Sequence, residues 1–119
     1  MEKTQAVAAL AALAQEHRLA VFRLLVQAGP QGLPAGQVAD ALDLAPNTLT
    51  FHFDRLRVAG LVTVRREGRS MIYAARFAAM NALLGFLTEN CCQGAPGKCA
   101  PAANKTSAVS KASRTERVS

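Results

Sequence analysis

Two consecutive stretches decide how this chain folds. The first is Pro34-Ala35-Gly36-Gln37-Val38-Ala39-Asp40-Ala41-Leu42, then the turn Asp43-Leu44-Ala45-Pro46, then Asn47-Thr48-Leu49-Thr50-Phe51-His52-Phe53-Asp54-Arg55-Leu56-Arg57-Val58-Ala59. The second follows Gly60: Leu61-Val62-Thr63-Val64-Arg65-Arg66-Glu67-Gly68-Arg69-Ser70-Met71-Ile72-Tyr73. A short helix, a tight turn and a longer helix form the unit that lays its second helix in the DNA major groove. The β-prone residues around Glu67-Gly68-Arg69 signal a hairpin with arginines at its tip. The expected fold is mainly α with a β-hairpin wing, a winged helix-turn-helix.

Working outward, Thr4–Ala14 has helical spacing, with Val7, Leu10, Ala11 and Ala14 on one stripe. A second helix is expected over His17–Gln27, turning Leu19, Phe22, Leu25 and Val26 inward and ending at Gly29-Pro30-Gln31-Gly32. Pro34 and Pro46 each suit a first helical turn, where the missing N–H costs nothing, although Ala45 is a poor N-cap. In the second helix of the motif, Leu49, Phe53 and Leu56 form an apolar face, and Asn47, Thr48, Thr50, Phe51, Asp54, Arg55 and Arg57 lie opposite. The last helix, about Phe77–Asn90, is apolar nearly all round, which suits contact with a second copy, together with the alanine-rich first helix; a wholly internal helix is the alternative. From Gln93 onward Gly, Pro, Ala, Ser and Lys dominate, and disorder is expected after about Ala100. The domain plan is therefore 1–92 for the DNA-binding and dimerisation domain and 93–119 for a flexible basic tail.

The chain has 119 residues and a formal net charge of +6, which is unevenly spread. Residues 48–76 carry six arginines against Asp54 and Glu67, a net +4, whereas residues 1–47 sum to −1. The positive charge of the folded part thus falls on the second helix and the wing, where phosphates would lie. No apolar run approaches the ~20 residues of a membrane span. Three cysteines, an odd number, argue against a disulfide framework and for the reducing cytoplasm.

The runs Arg18-Leu19-Ala20-Val21-Phe22-Arg23-Leu24-Leu25, Val38-Ala39-Asp40-Ala41-Leu42, Asn47-Thr48-Leu49-Thr50-Phe51-His52-Phe53, Leu56-Arg57-Val58-Ala59-Gly60-Leu61-Val62 and Arg65-Arg66-Glu67-Gly68-Arg69 together resemble the ArsR/SmtB metalloregulators over about residues 4–90. The resemblance implies a homodimeric repressor, joined through its first and last helices, that a metal or metalloid releases from an inverted-repeat DNA operator. The commonest arsenic site of that family, a Leu-Cys-Val-Cys pattern, is absent, since Leu33-Pro34-Ala35-Gly36 has no thiol. The family's zinc site on the last helix is absent too, because Phe77–Glu89 has neither Asp nor His. What remains is Cys91, Cys92 and Cys99, similar to the branch with a cysteine pair at the end of the last helix and a third soon after. Soft thiolates select soft ions, and arsenic(III) takes three sulfurs in a pyramid, whereas tetrahedral zinc would lack a fourth ligand. The expected inducer is arsenic(III), with antimony(III), a methylated arsenical or another soft metal as alternatives. An idle cysteine pair is the bland reading, and a thiol-redox switch on the same scaffold the serious rival.

Candidate DNA contacts are Asn47, Thr48, Thr50, Phe51, His52, Arg55, Arg65, Arg66 and Arg69. The threonine hydroxyls suit phosphates or base edges, and the arginines suit phosphates. Phe51 either touches a thymine methyl or packs inward; His52 either contacts DNA or supports the turn. Asp54 is free to pair with Arg55 or Arg57. Catalysis is not expected: neither Cys91 nor Cys92 opens a Cys-x5-Arg loop, and there is no Cys-x-x-Cys or Ser/His/Asp set.

Overall fold

The computed structural model describes residues 1–94. Its first unit, Met1–Leu87, contains α1 (Lys3–Leu13), α2 (Glu16–Ala28), β1 (Leu33–Pro34), α3 (Ala35–Leu42), α4 (Pro46–Val58), β2 (Val62–Glu67), β3 (Ser70–Ala75) and α5 (Phe77–Leu87). A second unit begins at Thr88, and its described part is a turn leading into a short 3-10 segment, Cys91–Gly94. Cys99 and the expected disordered tail lie outside the described residues. The three strands form one antiparallel sheet in the order β1-β3-β2, with Leu33 opposite Tyr73 and Val64 opposite Tyr73 on its other side.

The turn between α3 and α4 is built by its own backbone. Asp43, at φ 54, takes the left-handed conformation that ends a helix; its N–H reaches Asp40 O, and the Leu44 N–H reaches Ala39 O at 3.0 Å. Both bonds close carbonyls that the helix end would leave open. Pro46 then opens α4 at its first turn. The same device ends α4: Gly60 at φ 79 donates to Arg57 O, and Leu61 donates to Leu56 O at 3.0 Å. Here the left-handed residue is glycine, which adopts that conformation without the Cβ penalty. Leu61 thereby enters the core and the chain leaves directly into β2.

Val21, Leu25, Val38, Leu49, Phe53, Leu56, Leu61 and Val62 make the centre of the core. Phe53 of α4 lies parallel to Tyr73 of β3, centroids 3.6 Å apart, which fastens α4 to the sheet. Burying a ring of that size is worth roughly 2–3 kcal/mol.

The structure shows which helix faces turn inward, and the face of α2 differs from the sequence expectation. In α1 the buried residues are Ala6, Ala9 and Ala12, and the larger Val7 and Leu10 are exposed at 60% and 42%. The outward Val7 and Leu10 leave an apolar stripe on the surface of α1, and Leu13 packs partly buried against the core. In α2, Val21 joins Phe22 and Leu25 inside, whereas Leu19 is 45% exposed. Pro34 precedes α3 as an extended N-cap and pairs with Ile72 in β1, rather than sitting in the first turn. The last helix stops at Leu87, before the expected Asn90, and only Leu83 of α5 is buried. A wholly internal last helix is therefore excluded.

Candidate nucleic-acid interface

α4 carries two faces. Leu49, His52, Phe53 and Leu56 are buried, at positions i, i+3, i+4 and i+7. Asn47, Thr48, Thr50, Phe51, Asp54, Arg55 and Arg57 are exposed, as the pattern implied. Thr50 donates its hydroxyl to Pro46 O at 2.9 Å, leaving the oxygen as an acceptor toward solvent. Arg57 lies 3.5 Å from Asp54, so this carboxylate is shared with Arg57 rather than Arg55. Arg55 instead sets its guanidinium carbon over the Phe51 ring, 5.1 Å from the centroid.

His52 stands apart from the other candidates. It is 6% exposed, and its Nδ1 is buried without a hydrogen-bond partner among the described residues. Its ring meets that of His17, at the start of α2, with centroids 5.5 Å apart. Burial lowers its pKa from the ordinary 6.5, and the charges of Arg18 and His17 push the same way. Buried against His17, the imidazole supports the packing of α4 on α2. The sequence held the signal: His52 sits at i+3 from Leu49, inside the apolar arc.

The wing divides its arginines by what already holds them. Arg65 donates to Glu67 Oε2 at 2.7 Å and to Gln31 O at 2.9 Å, tying β2 to the loop before β1. Arg66 reaches only Gly68 O, at 3.3 Å, and Arg69 sits at the exposed tip between the strands. Outside the candidate set, Arg76 donates to Gly60 O at 3.1 Å and steadies the α4–β2 corner. Arg18 donates to Ala12 O at 2.6 Å, holding the end of α1 against α2.

In the second unit, Asn90, Cys92 and Gln93 have φ of 58, 53 and 59, so the backbone turns sharply through the cysteine pair. Cys91 donates its N–H to Thr88 O at 3.0 Å; its residue is half-buried, and Cys92 is exposed. Among the described residues no three His, Cys, Asp or Glu form a group that could hold a metal, and Cys99 lies beyond them. No described helix is long and apolar enough to cross a membrane.

A helix-turn-helix whose second helix projects a polar face beside an arginine-tipped hairpin defines the class of winged-helix regulators. Comparison with known proteins gives the family. A helix-turn-helix domain model matches residues 13–65. The transcriptional activator HlyU of Vibrio cholerae is 32% identical over 95 residues, 78% of this chain and 85% of that protein. Its solved structure superposes with a TM-score of 0.59 at 34% identity, covering 73% and 97% of the two chains. An ArsR-like transcriptional regulator from Rhodococcus gives 0.62 at 26% identity, covering 71% and 76%. The homodimeric winged helix-turn-helix domain Mb0332 of Mycobacterium bovis, a possible ArsR-family regulator, gives 0.58 at 27% identity, covering 73% and 81%. The chain belongs to the ArsR family of winged helix-turn-helix transcriptional regulators. It is a regulator, not an enzyme.

Proposed function

We propose that this chain is a homodimeric repressor that holds an inverted-repeat operator and leaves it when trivalent arsenic, or antimony, binds Cys91, Cys92 and Cys99. The observation that carries the proposal is the confinement of all three thiols to nine residues that follow α5 in the sequence. Three thiolates match the three bonds of pyramidal arsenic(III), and a soft ion prefers them to the oxygen donors around. A sharp turn at Asn90, Cys92 and Gln93 takes the pair out of helical geometry, which suits a chelate better than two thiols splayed around a helix.

Dimerisation is supported by the exposed apolar residues Val7 and Leu10 of α1 and Leu84 and Leu87 of α5, and by the homodimeric relative Mb0332. In the proposed complex Asn47, Thr48, Thr50, Phe51 and Arg55 enter the major groove, while Arg65, Arg66 and Arg69 follow the backbone. Two such helices one DNA turn apart, about 34 Å, fit an inverted repeat. HlyU carries the name of an activator, so the sign of regulation is itself part of the proposal. The inducer acts through unequal affinity for the DNA-bound and released dimers, and coupling of about 1–3 kcal/mol gives ~5–150-fold release. The proposed place of action is the cytoplasm, where thiols stay reduced.

The test is titration of the dimer–operator complex with arsenite under full reductant. Release that saturates as arsenite reaches or exceeds one equivalent per site supports the reading. Release by peroxide alone replaces it with a thiol-oxidation switch. A complex indifferent to arsenite, antimonite and methylated arsenicals overturns the sensor.

A further inference from the structure

Two exposed side chains of α4 are partnered with each other, and the Phe51 ring also meets the buried His52 ring edge-on, centroids 5.7 Å apart. Phe51 is 52% exposed, an unusual position for a phenylalanine on a charged helix face, and Arg55 one turn later covers its ring. Every other outward group of the helix that is charged, or that donates through a hydroxyl already bonded, is committed elsewhere. Asp54 and Arg57 face each other, and Thr50 spends its proton on Pro46 O. The Arg55 guanidinium makes no hydrogen bond or ion pair among the described residues; the ring contact is what orients it.

That contact has a chemical consequence. The ring takes up none of the guanidinium's N–H donors in a hydrogen bond, so the planar fork stays available. In that pose it presents the two-pronged donor that matches O6 and N7 of guanine. Phe51 meanwhile offers an apolar edge of the kind that packs on the 5-methyl of thymine. Because the two groups touch, the bases they reach must be neighbours. We propose that Phe51 and Arg55 form one composite reader that selects a thymine adjacent to a guanine in the major groove. It rests on the reading that α4 enters that groove.

The experiment uses the full chain. Operator sequences are selected from a random duplex library, and the enriched site is remade with uracil for the thymine, removing only the methyl, or 7-deazaguanine for the guanine, removing N7. Each replacement is expected to weaken binding, the second by ~5-fold or more. In Phe51→Ala the uracil penalty disappears and the 7-deazaguanine penalty shrinks, because the arginine has lost its support. In Arg55→Lys the guanine penalty falls, since an ammonium has no fork, while the methyl penalty stays. Both side chains are exposed, so the variants fold. Enriched sites without a thymine–guanine neighbour, or base replacements that leave affinity unchanged, overturn the inference while leaving DNA recognition standing. A loss equal on operator and random DNA makes Arg55 a phosphate contact and also overturns it. If no sequence is enriched at all, the DNA-reading function fails and the inference with it.

Discussion

His17 and His52 come together, ring to ring at 5.5 Å, across the packing of α2 on α4. They are the only histidines in the sequence. Since burial first, then Arg18 and His17, depress the His52 pKa in the folded state, the unfolded chain takes up this proton first as the pH falls. The stability associated with a neutral His52 is therefore complete above about pH 6.5 and declines below it, levelling off beneath the folded-state pKa. Thermal unfolding between about pH 7.5 and 5.5 is expected to show that slope. His52→Leu, which removes the titrating group and its unpartnered Nδ1, is expected to flatten it. An unchanged slope in the variant assigns the effect to another group.

Gly32 makes a second prediction, about the sheet. A Cβ at this position would lie 2.3 Å from Tyr73 O, and its φ is 74. Neither the side chain nor the conformation has room for alanine. Gly32→Ala is expected to cost about 1–3 kcal/mol, seen as a lowered denaturation midpoint. Gly36→Ala is the control, because its Cβ meets nothing within 4 Å and it lies within a helix. That change is expected to be neutral or stabilising.

On the wing, Arg66→Ala and Arg69→Ala are each expected to weaken binding to all DNA sequences alike. Each phosphate contact removed should reduce the slope of log K against log salt by ~0.9. Arg65→Ala should behave differently, because its guanidinium also holds Glu67 and Gln31 O. It is expected to lower thermal stability as well as affinity, roughly 1 kcal/mol for exposed bonds of this kind. Equal stability in all three variants would mean that the Arg65 contacts contribute nothing to the fold.

Much of this was legible because the deciding elements are local. Pro46 marks a helix start and Gly60 a helix end from chemistry contained in a few residues. The hairpin follows from alternation around Gly68-Arg69, and the observed register pairs Glu67 with Ser70 across that loop. What the pattern missed depends on partners distant in sequence. The hydrophobic ranking turned Leu19 inward, but the buried face of α2 is Val21, Phe22 and Leu25, set by the elements that pack on it. β1 is two residues long and owes its pairing to β3, so no periodicity could announce it. Of the two roles open to His52 in the sequence, DNA contact or support of the turn, its burial against His17 favours support. The cysteine site rests on residues of which Cys99 is outside the described part, so the sequence remains its main support.

The exposed α1 residues allow the proposed dimer to be broken without touching the core. Val7→Asp with Leu10→Asp puts charge on side chains that are already outward, so each monomer should keep its helix content. The pair of changes is expected to shift sedimentation to the monomer and to weaken operator binding far more than binding to a half-site. A double variant that remains dimeric removes α1 from the interface.

The cysteines give the last prediction. Cys91→Ser, Cys92→Ser and Cys99→Ser are each expected to leave folding, dimerisation and operator affinity unchanged, because none belongs to the proposed DNA-contacting set. Each should impair release by arsenic(III), since a hydroxyl is too hard and too weakly acidic to replace a thiolate. Cys91 and Cys92 are expected to matter most, being adjacent and held in one turn whose first N–H bonds to Thr88 O. Cys99 closes a longer ring, and the closure entropy of such a loop rises only slowly with length. A methylated arsenical, with fewer open coordination positions, should therefore tolerate Cys99→Ser better than arsenite does. The measurement is the arsenite concentration that releases half of the operator, compared between the parent, each single variant and the triple variant. With all three thiols gone no soft donor remains in this segment. A triple variant that leaves DNA at the parent's concentration would show that arsenic acts elsewhere and that the sensor assignment is wrong.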